Sequence, residues 1–141
     1  MVEEFKTSFQ RPTTASYFLI DADGLSLGRV SSMIAKVLLG KNSPSYAPFF
    51  IADNFVYVIN ADKVVLTGNK SKEPVYLHSL HIGGLRSCSR GSLGKKLLLE
   101  RAVSKMLPKN RLRKRLLKRL KIIEGNRLPS NIKHFEVMEV R

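Results

Sequence analysis

The apolar residues of this chain fall into short blocks whose periods differ along its length. Tyr17-Phe18-Leu19-Ile20 is brief, apolar and closed by Asp21, which predicts a buried strand. Leu27, Val30, Ile34, Val37 and Leu38 then recur at helical spacing up to Gly40, so a helix is expected there with glycine as its stop. Ser26 suits the cap of this helix, and a start at Leu25 is nearly as good. Phe55-Val56-Tyr57-Val58-Ile59 is apolar at every position, the pattern of a strand covered on both faces. Strand, helix and strand in this order predict a βα unit feeding a largely parallel sheet.

Further on the blocks shorten. Val64-Val65-Leu66 runs into the turn residues Thr67-Gly68-Asn69-Lys70, and residues 75–80 suit a strand that Gly83-Gly84 would end. Residues 93–107 read as a helix, capped by Ser89 or Ser92 and terminated by Pro108, with Leu99, Val103, Met106 and Leu107 as its inner stripe. Leu112, Leu116 and Leu120 recur every fourth position and predict another helix or helical turn. Residues 124–141 hold Gly125 and Pro129 and then Phe135, Val137 and Val140, which predicts a mostly irregular tail with an edge strand left open. The expected organisation is an N-terminal arm over 1–16, one α/β domain over 17–125 and a C-terminal tail over 126–141.

Charge changes the picture most. Residues 1–70 carry seven Lys/Arg against six Asp/Glu, a balance of +1, whereas residues 71–141 carry eighteen against five, a balance of +13. The densest stretch, KNRLRKRLLKRLK at 109–121, holds eight basic side chains in thirteen positions and no acid. Such a run fits a nucleic-acid surface, a membrane-surface helix or a solvated face. Its apolar side is Leu alone, without Trp or Phe anchors, which weakens the membrane reading. A patch this dense repels itself unless a polyanion neutralises it, so nucleic acid leads. RNA is preferred to DNA, because neither base-reading Asn or Gln at helical spacing nor zinc-finger spacing is present.

Composition sets the frame. With 43% hydrophobic and 26% charged residues, the chain has a normal core beneath its basic surface. Cys88 is the only cysteine, which excludes an intrachain disulfide and fits a reducing compartment. The first sixteen residues are acidic at the front and lack a hydrophobic segment, so a signal peptide is not expected. No stretch reaches the ~20 apolar residues of a membrane span.

Candidate chemistry is sparse. The segment from His78 through His81, Gly83, Gly84 and Arg86 pairs polar donors with a glycine pair that lets backbone N–H groups approach a phosphate, and an ordinary tight loop is its alternative. His78, His81 and Cys88 are too few and irregular for structural zinc. Residues 21–29 follow a strand and open a helix but lack either phosphate-loop spacing, so Gly28 is expected to allow close packing, and Arg29 and Lys36 to reach solvent or phosphate. Asp53, Asp62, Glu73 and Glu100 form no spaced catalytic pair, and Ser31, Ser32 and Cys88 have no local base. No catalytic residue, metal site or cofactor is expected.

The segments in this order resemble the ribosomal protein L13 family of the large subunit, in its bacterial or organellar form. The matching text is D-A-x-G-x-x-L-G-R at 21–29, L-x-G-K at 38–41, Tyr46 with Pro48, V-I-N-A-D-K-V-x-L-T-G-N-K at 58–70, His78 with H-I-G-G-L at 81–85, K-M-L-P-K at 105–109, and Leu-Lys-Ile with a later Gly at 120–125. The chain departs from the family pattern at Phe49, Phe50 and 52–54, at Leu80, and at Arg113 or a neighbour, where an added Arg keeps a phosphate-binding charge. The resemblance implies a four-stranded, mainly parallel sheet between helices, a three-layer α/β/α domain. It also implies binding to large-subunit ribosomal RNA beside neighbouring ribosomal proteins, as a monomer within the ribosome, in support of early subunit assembly and without enzymatic activity.

By that resemblance and the charge map together, the RNA-facing residues are His78, His81, Gly83, Gly84, Arg86, Lys105, Lys109, Arg111, Arg113, Lys114, Arg115, Lys118 and Arg119, with Arg29 and Lys41 as weaker transfers. A bacterial-type cytoplasmic location is favoured, and an organellar ribosome stays open. Neither DNA nor a membrane is an expected partner. Two rival readings remain: a free-standing RNA-binding translational regulator and a small nucleotide-binding enzyme.

Overall fold

Alternation within Ser16–Asp21 (β1) turns Phe18 and Ile20 to one face of a sheet and Tyr17 and Leu19 to the other. The structure, a computed structural model, describes residues 15–44, 46–78, 81, 83–126 and 134–138. Asn54–Ile59 (β2) runs parallel to β1 in a register that sets Val56 beside Phe18 and Val58 beside Ile20. These four buried side chains floor the core. Leu120–Ile122 (β5) pairs parallel with β2, and Glu136–Val137 (β6) pairs parallel with β1. The sheet order is therefore β5-β2-β1-β6, with every pairing parallel, and the tail supplies the edge strand left open above.

Between β1 and β2 the chain forms the helix Leu27–Leu38 (α1). Ser26 holds the cap position, but its side chain makes no cap hydrogen bond. The entry is fixed by backbone instead: Leu27 N donates to Val65 O at 3.1 Å, and Val65 N donates to Leu25 O at 2.9 Å. Val30, Ile34, Val37 and Leu38 are fully buried over the sheet, each contributing about 1.5–3 kcal/mol of transfer free energy. At the far end Gly40 N donates to Val37 O and Lys41 N to Lys36 O, with Gly40 at φ +74°, so the predicted glycine stop is a Schellman closure. Asn54 Nδ2 also donates to Val37 O at 2.8 Å, giving that helix-end carbonyl a second donor. Gly28 differs from expectation, because a Cβ there meets nothing within 4 Å and no close packing depends on it.

The second helix, Lys95–Met106 (α2), packs on α1 and buries Leu98, Leu99 and Val103. It begins after Gly94, while the expected capping residue Ser92 donates its hydroxyl to Ser89 O in a preceding 3-10 turn. Leu107, extended just past the helix, takes the inward position beside the core, and Met106 is left largely exposed rather than in the inner stripe. Leu112–Lys118 (α3) follows Pro108 and buries Leu116. The leucine repeat does not continue as one helix, because α3 ends before Leu120, which opens β5.

Helices α1, α2 and α3 all contribute to the same cluster, on the face of Phe18 and Val56. On the opposite face Tyr17 stacks on Phe55 with ring centroids 5.4 Å apart, and Tyr57 meets the edge of Phe135 at 5.4 Å. Among the described residues, then, β2 is covered by helices on one side and by aromatic rings on the other. The rings of Tyr17, Phe55, Tyr57 and Phe135 form that aromatic cover. Outside the sheet, Pro74–His78 (β3) and Leu85–Ser89 (β4) form an antiparallel hairpin. Strand β3 closes at His78, ahead of the glycine pair, and β4 opens at Leu85 directly after it.

Candidate nucleic-acid interface

The basic stretch acquires its shape from the leucines within it. Leu116 and Leu120 are buried, Leu112 and Leu117 are half-buried, and Lys114, Arg115 and Lys118 between them are exposed. Lys109, Arg111, Lys114, Arg115 and Lys118 are all exposed, and Lys105 joins them from the last turn of α2. Among the described residues none of these six makes an ion pair within the chain; the three ion pairs present lie at Lys63–Asp23, Arg90–Glu73 and Arg119–Asp53. Helix α3 also has no acid in its first turn, where the macrodipole favours one by ~0.3–1 kcal/mol. Asn110 supplies the helix-start acceptor instead, its Oδ1 taking the Arg113 N–H at 3.2 Å. The fold thus presents uncompensated positive charge on a docked, rigid segment.

Arg113 and Arg119 stand apart from the other predicted contacts. Arg113 is half-buried and donates its Nε to Pro108 O at 3.1 Å, which ties the first turn of α3 to the end of α2. Arg119 sits between α3 and β5, where its guanidinium donates to the carbonyl of Ala52 and at 2.5 Å to Asp53 Oδ1, with the Phe55 ring centroid 5.6 Å from its carbon. That guanidinium braces the junction from inside. The sequence offered no sign of this role, since Asp53 lies in a distant loop.

The hairpin places its own candidates elsewhere. Gly83 adopts φ +80°, Gly84 N donates to His81 O at 3.0 Å, and Leu85 N donates to Gly83 O at 2.9 Å. His81 and Gly83 are exposed, Gly84 is half-buried, and Arg86 is exposed on β4, directly across from Leu77. His78 closes β3 opposite Leu85. The hairpin precedes α2 and the basic helix follows it. The two regions are thus joined through a twelve-residue helix about 18 Å long. Arg29 and Lys41 are likewise exposed at opposite ends of the twelve-residue α1. Lys41 lies with its Nζ 6.0 Å from the Tyr46 ring centroid. Tyr46 in turn lines a shallow apolar groove with Pro48, Phe50, Pro108, Asn110 and Leu112, so its loop abuts the start of the basic helix.

Other chemistry finds little footing. Among the described residues no group of three His, Cys, Asp or Glu is placed to hold a metal ion, and no helix is long and apolar enough to cross a membrane. The half-buried Cys88 directs its thiol toward Val75 O at 3.7 Å, across the hairpin.

The family model described as Ribosomal protein L13 matches residues 15–129. Among curated relatives, the large ribosomal subunit protein uL13 of Brevibacillus brevis is 41% identical over 129 residues, covering 89% of each chain. The uL13 of Alkaliphilus metalliredigens is 49% identical over 113 residues, covering 77% of this chain and 80% of the relative. That of Geobacter sp. strain M21 is 45% identical over 120 residues, covering 82% and 84%. The matched region takes in both strands of the βα unit, the hairpin and the whole basic helix. With β1, β2, β5, the hairpin and the basic helix inside that match, the chain belongs to the ribosomal protein L13 family.

Proposed function

We propose that this chain is a structural constituent of the large ribosomal subunit that binds large-subunit ribosomal RNA and supports early assembly of the subunit. The observation that carries the reading is the exposed basic face, without ion pairs among the described residues, formed by Lys105 at the end of α2, Lys109 and Arg111 before α3, and Lys114, Arg115 and Lys118 on α3, which docks through leucines. Family membership supports a structural role over an enzymatic one, because the relatives are named as subunit proteins. Binding is electrostatic and architectural: lysines and arginines displace counterions as they meet phosphates, and selectivity comes from RNA shape more than from base reading. The hairpin adds a second contact, with Arg86 and the Gly83 turn against the RNA backbone. Two contacts joined through one helix reach separate segments of a folded RNA, which is what an assembly protein has to hold together.

The test is sedimentation of lysate from cells that make the chain, through a high-salt gradient, with the chain quantified in every fraction. Stoichiometric recovery with the large subunit is expected. Recovery mainly in light fractions, with a discrete non-ribosomal RNA attached, would replace this reading with that of a free-standing regulator.

A further inference from the structure

We infer that the Tyr76 ring, on the open face of the hairpin, is a stacking platform for an unpaired nucleotide of the RNA. The inference deepens the RNA-binding reading and rests on it. Strand alternation divides the ribbon into two unlike faces. Val75 and its partner Cys88 are half-buried on one, whereas Pro74, Tyr76, Leu85, Ser87 and Ser89 are all exposed on the other. Tyr76 is 59% exposed and Leu85 is 54% exposed, and the register sets Tyr76 opposite Ser87 and diagonal to Leu85. Among the described residues no ring, cation or hydrogen-bond partner is set against Tyr76, so its π face and its hydroxyl are both open.

An exposed tyrosine alone is ordinary, but this one is held in place. It is the central residue of the five in β3 that pair with β4. At the base of the ribbon Arg90 N donates to Glu73 O at 2.9 Å, and the Arg90 guanidinium meets the Glu73 carboxylate at 3.0 Å. Gly91 beside them lies so near Ser71 that a Cβ would stand 3.1 Å from the Ser71 carbonyl oxygen. A ring carried on a ribbon anchored in this way gives up little freedom when a base settles on it.

Charge selects the occupant. Residues 70–96 carry six Lys/Arg and one acid, and that acid, Glu73, is taken by Arg90. Lys70, Lys72, Arg86, Lys95 and Lys96 are exposed and, among the described residues, make no ion pair. A polyanion compensates such a segment. An open ring flanked by the Ser87 hydroxyl suits a base and its ribose, the groups that strand-borne aromatics receive in single-stranded RNA. A protein partner fits less well, because one ring and one leucine fall far short of the ~800 Å² per partner that a stable protein interface buries. A base inside a duplex is already stacked on both sides. The platform therefore takes a bulged, looped or terminal nucleotide, with little preference among bases because every base has a π surface.

The chain contains no tryptophan, so Tyr76→Trp places a single reporter at the site. The full chain and its Tyr76→Ala, Tyr76→Phe and Tyr76→Trp variants are titrated with deproteinised large-subunit ribosomal RNA across a salt series, beside a Lys114→Gln/Arg115→Gln control. Tyr76→Ala is expected to bind about 5- to 100-fold more weakly with an unchanged log–log salt slope, since no phosphate contact is removed. Tyr76→Phe and Tyr76→Trp should keep the parent affinity, and the tryptophan emission should be quenched by this RNA but not by a fully paired RNA duplex. Parent affinity in Tyr76→Ala, an equal loss in Tyr76→Ala and Tyr76→Phe, or emission that responds only to other large-subunit proteins overturns the stacking assignment, while a weakened control leaves RNA binding standing. If the parent chain binds this RNA no better than an unrelated RNA, the RNA-binding reading itself fails and the platform falls with it.

Discussion

Arg119 donates to the carboxylate of Asp53 at 2.5 Å, joining two residues 66 positions apart in the chain, and a second hydrogen bond from the same guanidinium reaches the carbonyl of Ala52. This pair fixes the loop before β2 to the junction of α3 and β5, so the orientation of the basic helix depends on it. Replacing Arg119 with Ala removes both bonds and the contact with Phe55, and is expected to lower stability by about 1–3 kcal/mol in urea titrations. Arg119→Lys should recover only part of the loss, because an ammonium cannot reproduce the planar two-way donation.

Two glycines separate backbone need from habit. Gly40 sits at φ +74°, and a Cβ there would come within 2.8 Å of the Ala52 Cβ, so Gly40→Ala should cost about 1–3 kcal/mol. Gly28 has open space in the first turn of α1. Gly28→Ala is expected to raise stability by about 0.4–1 kcal/mol by restricting the unfolded chain. Thermal melts of both variants against the parent give the two opposite signs.

The exposed charges of α3 are predicted to act on binding alone. Lys114→Gln with Arg115→Gln should reduce the log–log salt slope of RNA binding by about 1.4–1.8, two phosphates' worth at ~0.7–0.9 each, and leave the circular dichroism spectrum unchanged. A loss of helicity in this variant would move the explanation from the interface to the fold.

Lys63 donates to Asp23 at 2.8 Å, and this hydrogen bond, reinforced by the charge of Asp23, raises the lysine pKa above its ordinary 10.5. A raised folded value means that the contribution of the pair is complete below 10.5 and is lost as pH rises through the higher folded value. The stability difference between the parent and Lys63→Met should therefore be constant around neutral pH and shrink only in strong alkali. Both groups are about half exposed, so that difference is small throughout.

Much of this architecture was legible because it is periodic. The stripe from Leu27 to Leu38 and the unbroken apolar run from Phe55 to Ile59 announce a helix and a strand whose burial decides their form. Strand β4 was not legible: Leu85-Arg86-Ser87-Cys88-Ser89 buries little, and backbone pairing with β3 holds it. Leu120 continued the leucine spacing but belongs to a strand, since α3 ends at Lys118 and Leu120 pairs with Val56 of β2. In the candidate interface, density of charge showed which segment faces outward. Only the three-dimensional arrangement showed that Arg113 and Arg119 also donate hydrogen bonds within the fold, and that the loop of Tyr46, Pro48 and Phe50 lies beside the basic helix. Local pattern carries local structure, whereas partners far apart in sequence leave no periodic trace.

The direct passage from α3 into β5 has a kinetic consequence. Strand β5 closes onto β2 by pairing Leu120 with Val56, a contact of long sequence separation, and the segment it must bring along is the most self-repelling one in the chain. Loop closure and charge crowding therefore fall on the same folding event. Screening the crowding with salt eases that event without touching the βα unit, where β1 pairs with β2 across a nearly neutral stretch. Refolding followed by stopped flow should accelerate with ionic strength, so a polyanion that neutralises this helix also acts as the counter-charge under which β5 pairs with β2.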